Sequence, residues 1–190
     1  MGYALFAQRK VQLTGQLNTI SLMQTQRSNE QYMLATNTLS LNQQLSSLQV
    51  SQSKELSDLY GLLSNADDSG LTPGYLDEEV IIGKDANGND ITRSRRETMS
   101  QSTKDFLAGN GNPTRDQIEA EIEARELEFQ KEQDYINRKI YLVSVKENAI
   151  EMEVKRLDTQ ISAIQQQLKA VEEAEGSAIE RATPKFNGVG

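Results

Sequence analysis

A long stripe of apolar residues runs through the second half of the chain, from Ile118 to Val171. Most of its members are separated by three, four or seven positions. They are Ile118, Ile122, Phe129, Ile136, Ile140, Val143, Ile150, Val154, Leu157, Ile161, Ile164, Leu168 and Val171. Alternating steps of three and four average about 3.5 residues, which is the repeat of a helix that packs along a narrow seam against another helix. The stripe therefore requires a partner helix along its length.

The helix that carries this stripe is expected over residues 114–176. Thr114 and Gln117 have the spacing of a capping box, and Gly176 is the expected end, with a tail over residues 177–190. The predicted intramolecular seam is the part of the stripe that keeps the repeat best. It consists of Ile136, Val143, Ile150, Val154, Leu157, Ile161, Ile164 and Leu168.

The first part of the chain offers the partner helix. Residues 1–64 are predicted to form one long helix, because Leu13, Leu17 and Ile20 keep helical spacing and further leucines continue the pattern. No Pro or Gly occurs from residue 16 to residue 60. The stripe becomes polar at residues 26–31, so a kink or a frayed turn is expected there.

The surface of this first helix lacks charge. Between Val11 and Ser53 the ionised side chains are Arg27 and Glu30 alone, and Gln, Ser, Thr and Asn are abundant. One interpretation is a polar face in contact with water. The other is a second, neutral interface, because soluble helix faces usually carry Glu, Lys and Arg, whereas amides and hydroxyls can be desolvated once they are hydrogen-bonded.

Residues 65–113 separate the two helices and are predicted to form a small module. A β-hairpin is expected over about 79–93, where two short apolar runs flank a turn rich in Asn, Asp and Gly. A short helix should follow over about 95–107, because Ser94 and Glu97 have the spacing of a capping box. The arginines in this region are expected to pair with nearby glutamates.

The turn of this hairpin also resembles a calcium loop, since Asp85, Asn87 and Asn89 occupy alternate positions. A calcium loop needs Gly next and a bidentate Glu later, but Asp90 and Arg96 stand at those two places. The pattern therefore favours a hairpin turn over a metal site.

The composition narrows the functions open to such a chain. A net charge of −8 argues against nucleic acid as a partner, and no apolar run is long enough for membrane insertion. Cys, His and Trp are absent, so thiolate and imidazole chemistry and the usual zinc ligands are missing. The glutamates of residues 119–128 are spread around a helix, which is typical of a solvated surface. We expect no enzyme, no cofactor and no metal site.

Two helices of matching length with a module between them predict a mainly α fold. The long helices should run antiparallel as a coiled-coil hairpin, with the small β-hairpin and short helix inserted between them. Because a helix pair leaves much of each helix exposed, oligomerisation is expected. The predicted self-assembly interface combines the apolar residues near both ends of the chain with the start of the neutral helix. It comprises Tyr3, Leu5, Phe6, Val11, Leu13, Leu17, Ile20, Ile179, Phe186 and Val189.

The uncharged stretch Gln16–Gln26, the heptads of Ile150–Val171, the lack of Cys, His and Trp and the apolar chain ends together resemble the axial proteins of flagellar and type III secretion systems. Flagellins and secreted sheath filament proteins are similar in plan, with terminal helices that pair in a filament core and a variable middle module that points outward. The dense charge of the second helix departs from a typical inner-core helix.

This resemblance implies a structural, self-assembling subunit of a helical filament or tubular assembly. Its partners would be further copies of itself, together with a secretion machinery or its chaperone. The expected location is outside the cell or at the cell surface, reached without a cleavable signal peptide.

A cytoplasmic coiled-coil adaptor or holdase chaperone is the alternative. Helix, hairpin and helix is also the plan of prefoldin-like chaperones and of secretion escort proteins. In that case the helix tips would bind client proteins, and the neutral helix would join the subunits of a small oligomer. Fold alone does not decide between these two functions.

Overall fold

The protein folds as a helical hairpin. A computed structural model describes the backbone of residues 2–182 and the side chains of residues 4–181. It is mainly helical, at 81%, and the long helices α1 (Gly2–Leu63) and α4 (Arg115–Ala182) pack against each other. The predicted fold class, two long helices with a small module inserted between them, is confirmed.

The module begins with its strands. Strands β1 (Ala66–Asp67) and β2 (Gly70–Leu71) form a short antiparallel ladder, and a 3-10 helix covers Tyr75–Asp77. Strands β3 (Glu79–Lys84) and β4 (Asp90–Ser94) form the antiparallel hairpin. The register of this hairpin shifts between Ile81 and Gly83, so Ile82 has no partner opposite it.

The module ends in two short helices where a single one was expected. Helix α2 (Arg95–Thr98) stops because Met99 adopts an extended conformation, and α3 (Gln101–Asn110) then starts afresh. The side chain of Ser100 caps α3 by accepting a hydrogen bond from the backbone N–H of Thr103 at 3.2 Å.

The second long helix continues past its expected end at Gly176 and reaches Ala182. A single glycine inside a helix costs only about 1 kcal/mol relative to alanine, which is too little to stop a helix of this length. The start is as predicted, since the side chain of Gln117 accepts the backbone N–H of Thr114 at 2.9 Å.

The chain divides into two compact units. The helix-pair unit contains Met1–Leu39 and Tyr141–Gly190, and the module unit contains Ser40–Ile140. Each unit includes a segment of both long helices.

In the helix-pair unit, the two helices bury one residue in every three or four along their facing sides. Leu13 of α1 exposes 1% of its surface, and Ile150 and Leu157 of α4 are buried as well. The remaining predicted seam residues are half-buried, with Ile136 belonging to the module unit. They are Ile136, Val143, Val154, Ile161, Ile164 and Leu168.

Helix α1 is continuous through residues 26–31, where a frayed turn was expected. Polar side chains occupy the seam positions of α1 in and just before this stretch, and they bond across to α4. Gln24 donates a hydrogen bond to the carboxylate of Asp158, and Arg27 forms an ion pair with Glu153 at 3.0 Å. These cross-helix bonds take the place of apolar contacts.

The module unit contains a cluster of buried apolar residues to which the ends of both long helices and several segments of the module contribute. The ends of the long helices supply Leu59, Leu62, Ile118 and Ile122, and the module supplies Leu71, Tyr75, Met99 and Leu107. Full burial of a large apolar side chain contributes about 1.5–3 kcal/mol. The module is therefore part of a core that stabilises the adjoining helix ends.

Polar contacts also hold the module against α1. The carboxylate of Asp58 accepts a hydrogen bond from the backbone N–H of Ser100 at 2.7 Å. This N–H lies at the start of α3, where it has no acceptor within the helix. The ammonium group of Lys54 donates to the carbonyl of Thr98 at 2.8 Å.

Replacing Gly70 by Ala is expected to destabilise the module unit. Gly70 has a φ of +117°, and an added Cβ would clash with the amide of Asn112, whose oxygen accepts the backbone N–H of Leu71 at 2.8 Å. The free energy of unfolding should fall by about 2–3 kcal/mol, as measured by urea denaturation followed by circular dichroism.

Gly109→Ala is the matched control. Gly109 lies in α3, and a Cβ there would meet nothing within 4 Å, so this variant should be unchanged or more stable by up to about 1 kcal/mol. Equal destabilisation by both substitutions would contradict the special role of Gly70.

Candidate functional site

The structure places four of the predicted self-assembly residues in the seam. Leu13 is buried, and Phe6, Leu17 and Ile20 are half-buried. Steps of three, four and seven connect these positions, so they share the side of α1 that packs against α4. Leu13 therefore has no apolar surface left for an external contact, and Phe6, Leu17 and Ile20 use part of theirs within the chain.

Three other predicted residues are exposed, namely Leu5, Val11 and Ile179. The side chains of Tyr3, Phe186 and Val189 lie outside the described residues. Among these residues, Val11 belongs to a larger exposed surface on α1.

That surface is the side of α1 opposite to the seam, which we call the outer face. In the helix-pair unit its large apolar side chains are Val11, Leu22, Tyr32, Met33 and Leu39, which expose between 59% and 75% of their surfaces. Sequence reasoning included Val11 alone among them. The available signal was the spacing of eleven residues between Val11, Leu22 and Met33, since eleven residues make about three helical turns.

Between Val11 and Leu39 the outer face carries one charged side chain, Glu30, which is exposed and pairs with Arg27 at 2.6 Å. The polar and small residues that share it are Gln12, Gly15, Asn18, Thr19, Thr25, Gln26, Asn29 and Thr36. The one basic side chain in this stretch, Arg27, lies at a seam position instead, where it pairs with Glu30 at 2.6 Å and with Glu153 at 3.0 Å.

The threonine hydroxyls of the outer face are bonded to their own helix. Thr19 donates to the carbonyl of Gly15, Thr25 to that of Ser21, and Thr36 to that of Tyr32, each at 2.9 Å. Because these donors are already satisfied, the face can lose its water without stranding a hydroxyl proton. A helix face needs this property if it is to be buried against another molecule.

A cleft of about 770 Å³ in the module unit is a concave feature that could bind a ligand. It is lined by Arg93, Arg96, Glu97, Lys104, Leu107 and Ala108. The expected pairing with glutamate holds for Arg95, which forms an ion pair with Glu78 at 2.9 Å and lies over the ring of Tyr75 at 4.6 Å. The exposed cations Arg93 and Arg96, which line the cleft, attract anions only weakly.

The turn of the β-hairpin uses its carboxylate for internal hydrogen bonds. Asp85 accepts the backbone N–H groups of Asn87 and Asn89 at 2.8 and 2.9 Å and the side-chain amide of Asn89 at 3.1 Å. Gly88 has a φ of +86°, as the turn requires. The described residues include no group of three or more His, Cys, Asp or Glu side chains that could hold a metal ion.

No helix within residues 2–182 is long and apolar enough to span a membrane.

Comparison of the chain with protein-family models, with curated proteins and with solved structures found no match. The resemblance to flagellar and secretion filament proteins therefore stays a prediction, and the functional argument rests on the geometry of this chain.

The hairpin turn is expected to hold at mildly acidic pH. The hydrogen bonds from Asn89, first from its backbone and then from its side chain, lower the pKa of Asp85 below its ordinary value of 3.8. A group with a lowered pKa in the folded state contributes stability above its unfolded pKa and loses it as the pH falls through the folded pKa. An NMR titration of the Asn87 and Asn89 amide signals should therefore give a midpoint below 3.8.

Substitutions in the turn give the matched pair. Asn89→Ala removes the side-chain donor and should raise that midpoint, whereas Asn87→Ala keeps the backbone donor and should leave it in place. If both variants titrate like the wild type, the side chain of Asn89 does not control the pKa of Asp85.

Proposed function

We propose that this protein is a structural subunit that assembles with further copies of itself into a helical filament. The outer face of α1 carries this proposal, because it combines five large exposed apolar side chains with a single charged one, Glu30. Monomeric soluble proteins rarely expose an extended apolar stripe, and such stripes mark interaction surfaces. Packing against another subunit would remove this apolar area from water.

The driving force for assembly is the burial of these side chains. Each contributes up to about 1.5–3 kcal/mol when it passes from full exposure to full burial. Association costs about 4–15 kcal/mol in lost freedom of motion, so several of the side chains must act together. The threonine hydroxyls add little polar cost, because they keep their bonds to the carbonyls of α1. The amides of Asn18, Gln26 and Asn29 must find hydrogen-bond partners on the neighbouring subunit.

A groove beside the outer face offers a place for a side chain of a neighbouring helix. Its volume is about 760 Å³, and the residues that line it include Gly15, Ile20, Ala163 and Ile164. Gly15 leaves room there, since even an added Cβ would meet nothing within 4 Å. Small residues beside apolar walls suit the insertion of an apolar knob from another helix.

A holdase or adaptor is the second candidate function. The exposed methionines Met23 and Met33 favour it, because methionine side chains adapt to varied apolar partners. On this alternative the same face binds unfolded clients and the protein stays a discrete oligomer in the cytoplasm. The filament form, and assembly outside the cell after export, follow from the predicted resemblance.

Replacing two outer-face residues by glutamine is expected to prevent polymerisation. Leu22→Gln with Met33→Gln removes apolar contact area but preserves side-chain length and helix propensity, so circular dichroism should show unchanged helicity. Negative-stain microscopy and light scattering should show polymers of uniform width for the wild type. The variant should need at least about tenfold more protein to assemble, as a loss of about 1.4 kcal/mol requires.

The control variant Leu22→Met with Met33→Leu keeps the apolar area and should assemble at the wild-type concentration. A wild-type protein that remains a small discrete oligomer would overturn the filament. If that oligomer also suppresses the aggregation of a denatured client, the holdase is favoured. Normal assembly of the glutamine variant would show that the outer face is not the contact.

Assembly is also expected to strengthen as salt is added. Subunits with a net charge of −8 repel one another, and the ion pair at the outer face, Arg27 with Glu30, lies within one subunit. The screening length falls from about 10 Å at 0.1 M to about 3 Å at 1 M ionic strength. Light scattering across that range should show a falling assembly threshold, whereas a rising threshold would indicate a contact made of ion pairs.

A further inference from the structure

Helix α4 exposes a second apolar patch in the helix-pair unit, which we call the α4 patch. It consists of Tyr141, Leu142, Val145 and Met152, which expose between 49% and 74% of their surfaces. The nearby residues Val143 and Ile150 occupy the seam. By the helical repeat, the patch therefore lies on the side of α4 that is turned away from α1.

The α4 patch is an exception on a charged helix. Residues 115–175 carry fifteen acidic and nine basic side chains, a net charge of −6. Arg138 and Lys139 precede the patch, and Lys155 and Arg156 follow it. Asn148 and Ala149 fill outward positions between its apolar members, and the exposed Lys146, four residues after Leu142, borders the patch.

We propose that the α4 patch of one copy binds the outer face of α1 of a second copy. This inference rests on the proposed self-assembly and identifies the other half of the contact. In the helix-pair unit each surface lies opposite to its own seam, so the two surfaces point to opposite sides of the pair. A contact between two different surfaces repeats from copy to copy, and it builds an open filament when the rotation between copies does not close into a ring.

The charge distribution selects a second copy as the occupant. The outer face between Val11 and Leu39 and the α4 patch both carry large exposed apolar side chains. Each has one exposed charged side chain, Glu30 on the outer face and Lys146 beside the α4 patch. Neither surface can be buried against a charged helix without the cost of desolvating unpaired ions. Copies that repel through a net charge of −8 approach most easily where both partners carry little charge.

A mixing experiment tests this arrangement. The outer-face variant (Leu22→Gln with Met33→Gln) keeps an intact α4 patch, and the patch variant (Leu142→Gln with Val145→Gln) keeps an intact outer face. Each variant alone should stay monomeric above the wild-type assembly threshold. An equimolar mixture should form a complex of one copy of each, measured by analytical ultracentrifugation. The intact α4 patch of one variant can bind the intact outer face of the other, and no further contact can then form.

The outcomes separate this inference from the proposed function. If the patch variant polymerises like the wild type, the α4 patch is not the contact, while self-assembly through the outer face stands. If both variants stay monomeric and their mixture forms no complex, the two surfaces do not bind each other. A wild-type protein that does not polymerise overturns both proposals.

Leu142→Met with Val145→Ile keeps the apolar area, and loss of assembly in this control would attribute the effect to packing disruption and overturn the inference.

Discussion

The seam between α1 and α4 is the interaction on which the rest of the surface depends. A pair of helices buries one stripe of each, so the opposite sides must be hydrated or covered by another molecule. Helix α4 is mostly hydrated through charge, with ion pairs such as Arg125 with Glu121 at 2.8 Å. Between Val11 and Leu39 helix α1 has one such pair on its own surface, Arg27 with Glu30, and its outer side is otherwise neutral and partly apolar.

Polar residues in the seam fix the register in which α1 and α4 pair more than they add to its stability. The ion pair of Arg27 with Glu153 is about half exposed, and such pairs contribute at most about 1 kcal/mol. A leucine at residue 27 would bury more apolar area, but an all-apolar seam tolerates a shift by one heptad. A shift would separate Arg27 from Glu153 and Gln24 from Asp158, so these pairs oppose other registers.

The seam and the hairpin could be predicted because both depend on local spacing and turn chemistry. The continuity of α1 through residues 26–31 could not, since it depends on partners such as Asp158 and Glu153 that are distant in sequence. The core of the module unit was missed for the same reason. Tyr75 and Met99 lie in short irregular segments without periodicity, and only the folded chain brings them to Leu62 and Ile118.

The exposed apolar surfaces are the hardest feature to find from sequence, because apolar residues of the surface and of the seam alternate. Tyr141, Leu142, Val143 and Val145 read as one apolar run, yet Val143 alone among them faces α1. The heptad phase of the seam decides which members face outward. Once that phase is known, the run separates into one seam residue and an outward-facing apolar patch. Two matching surfaces on opposite sides of a helix pair are what an open, repeating assembly needs.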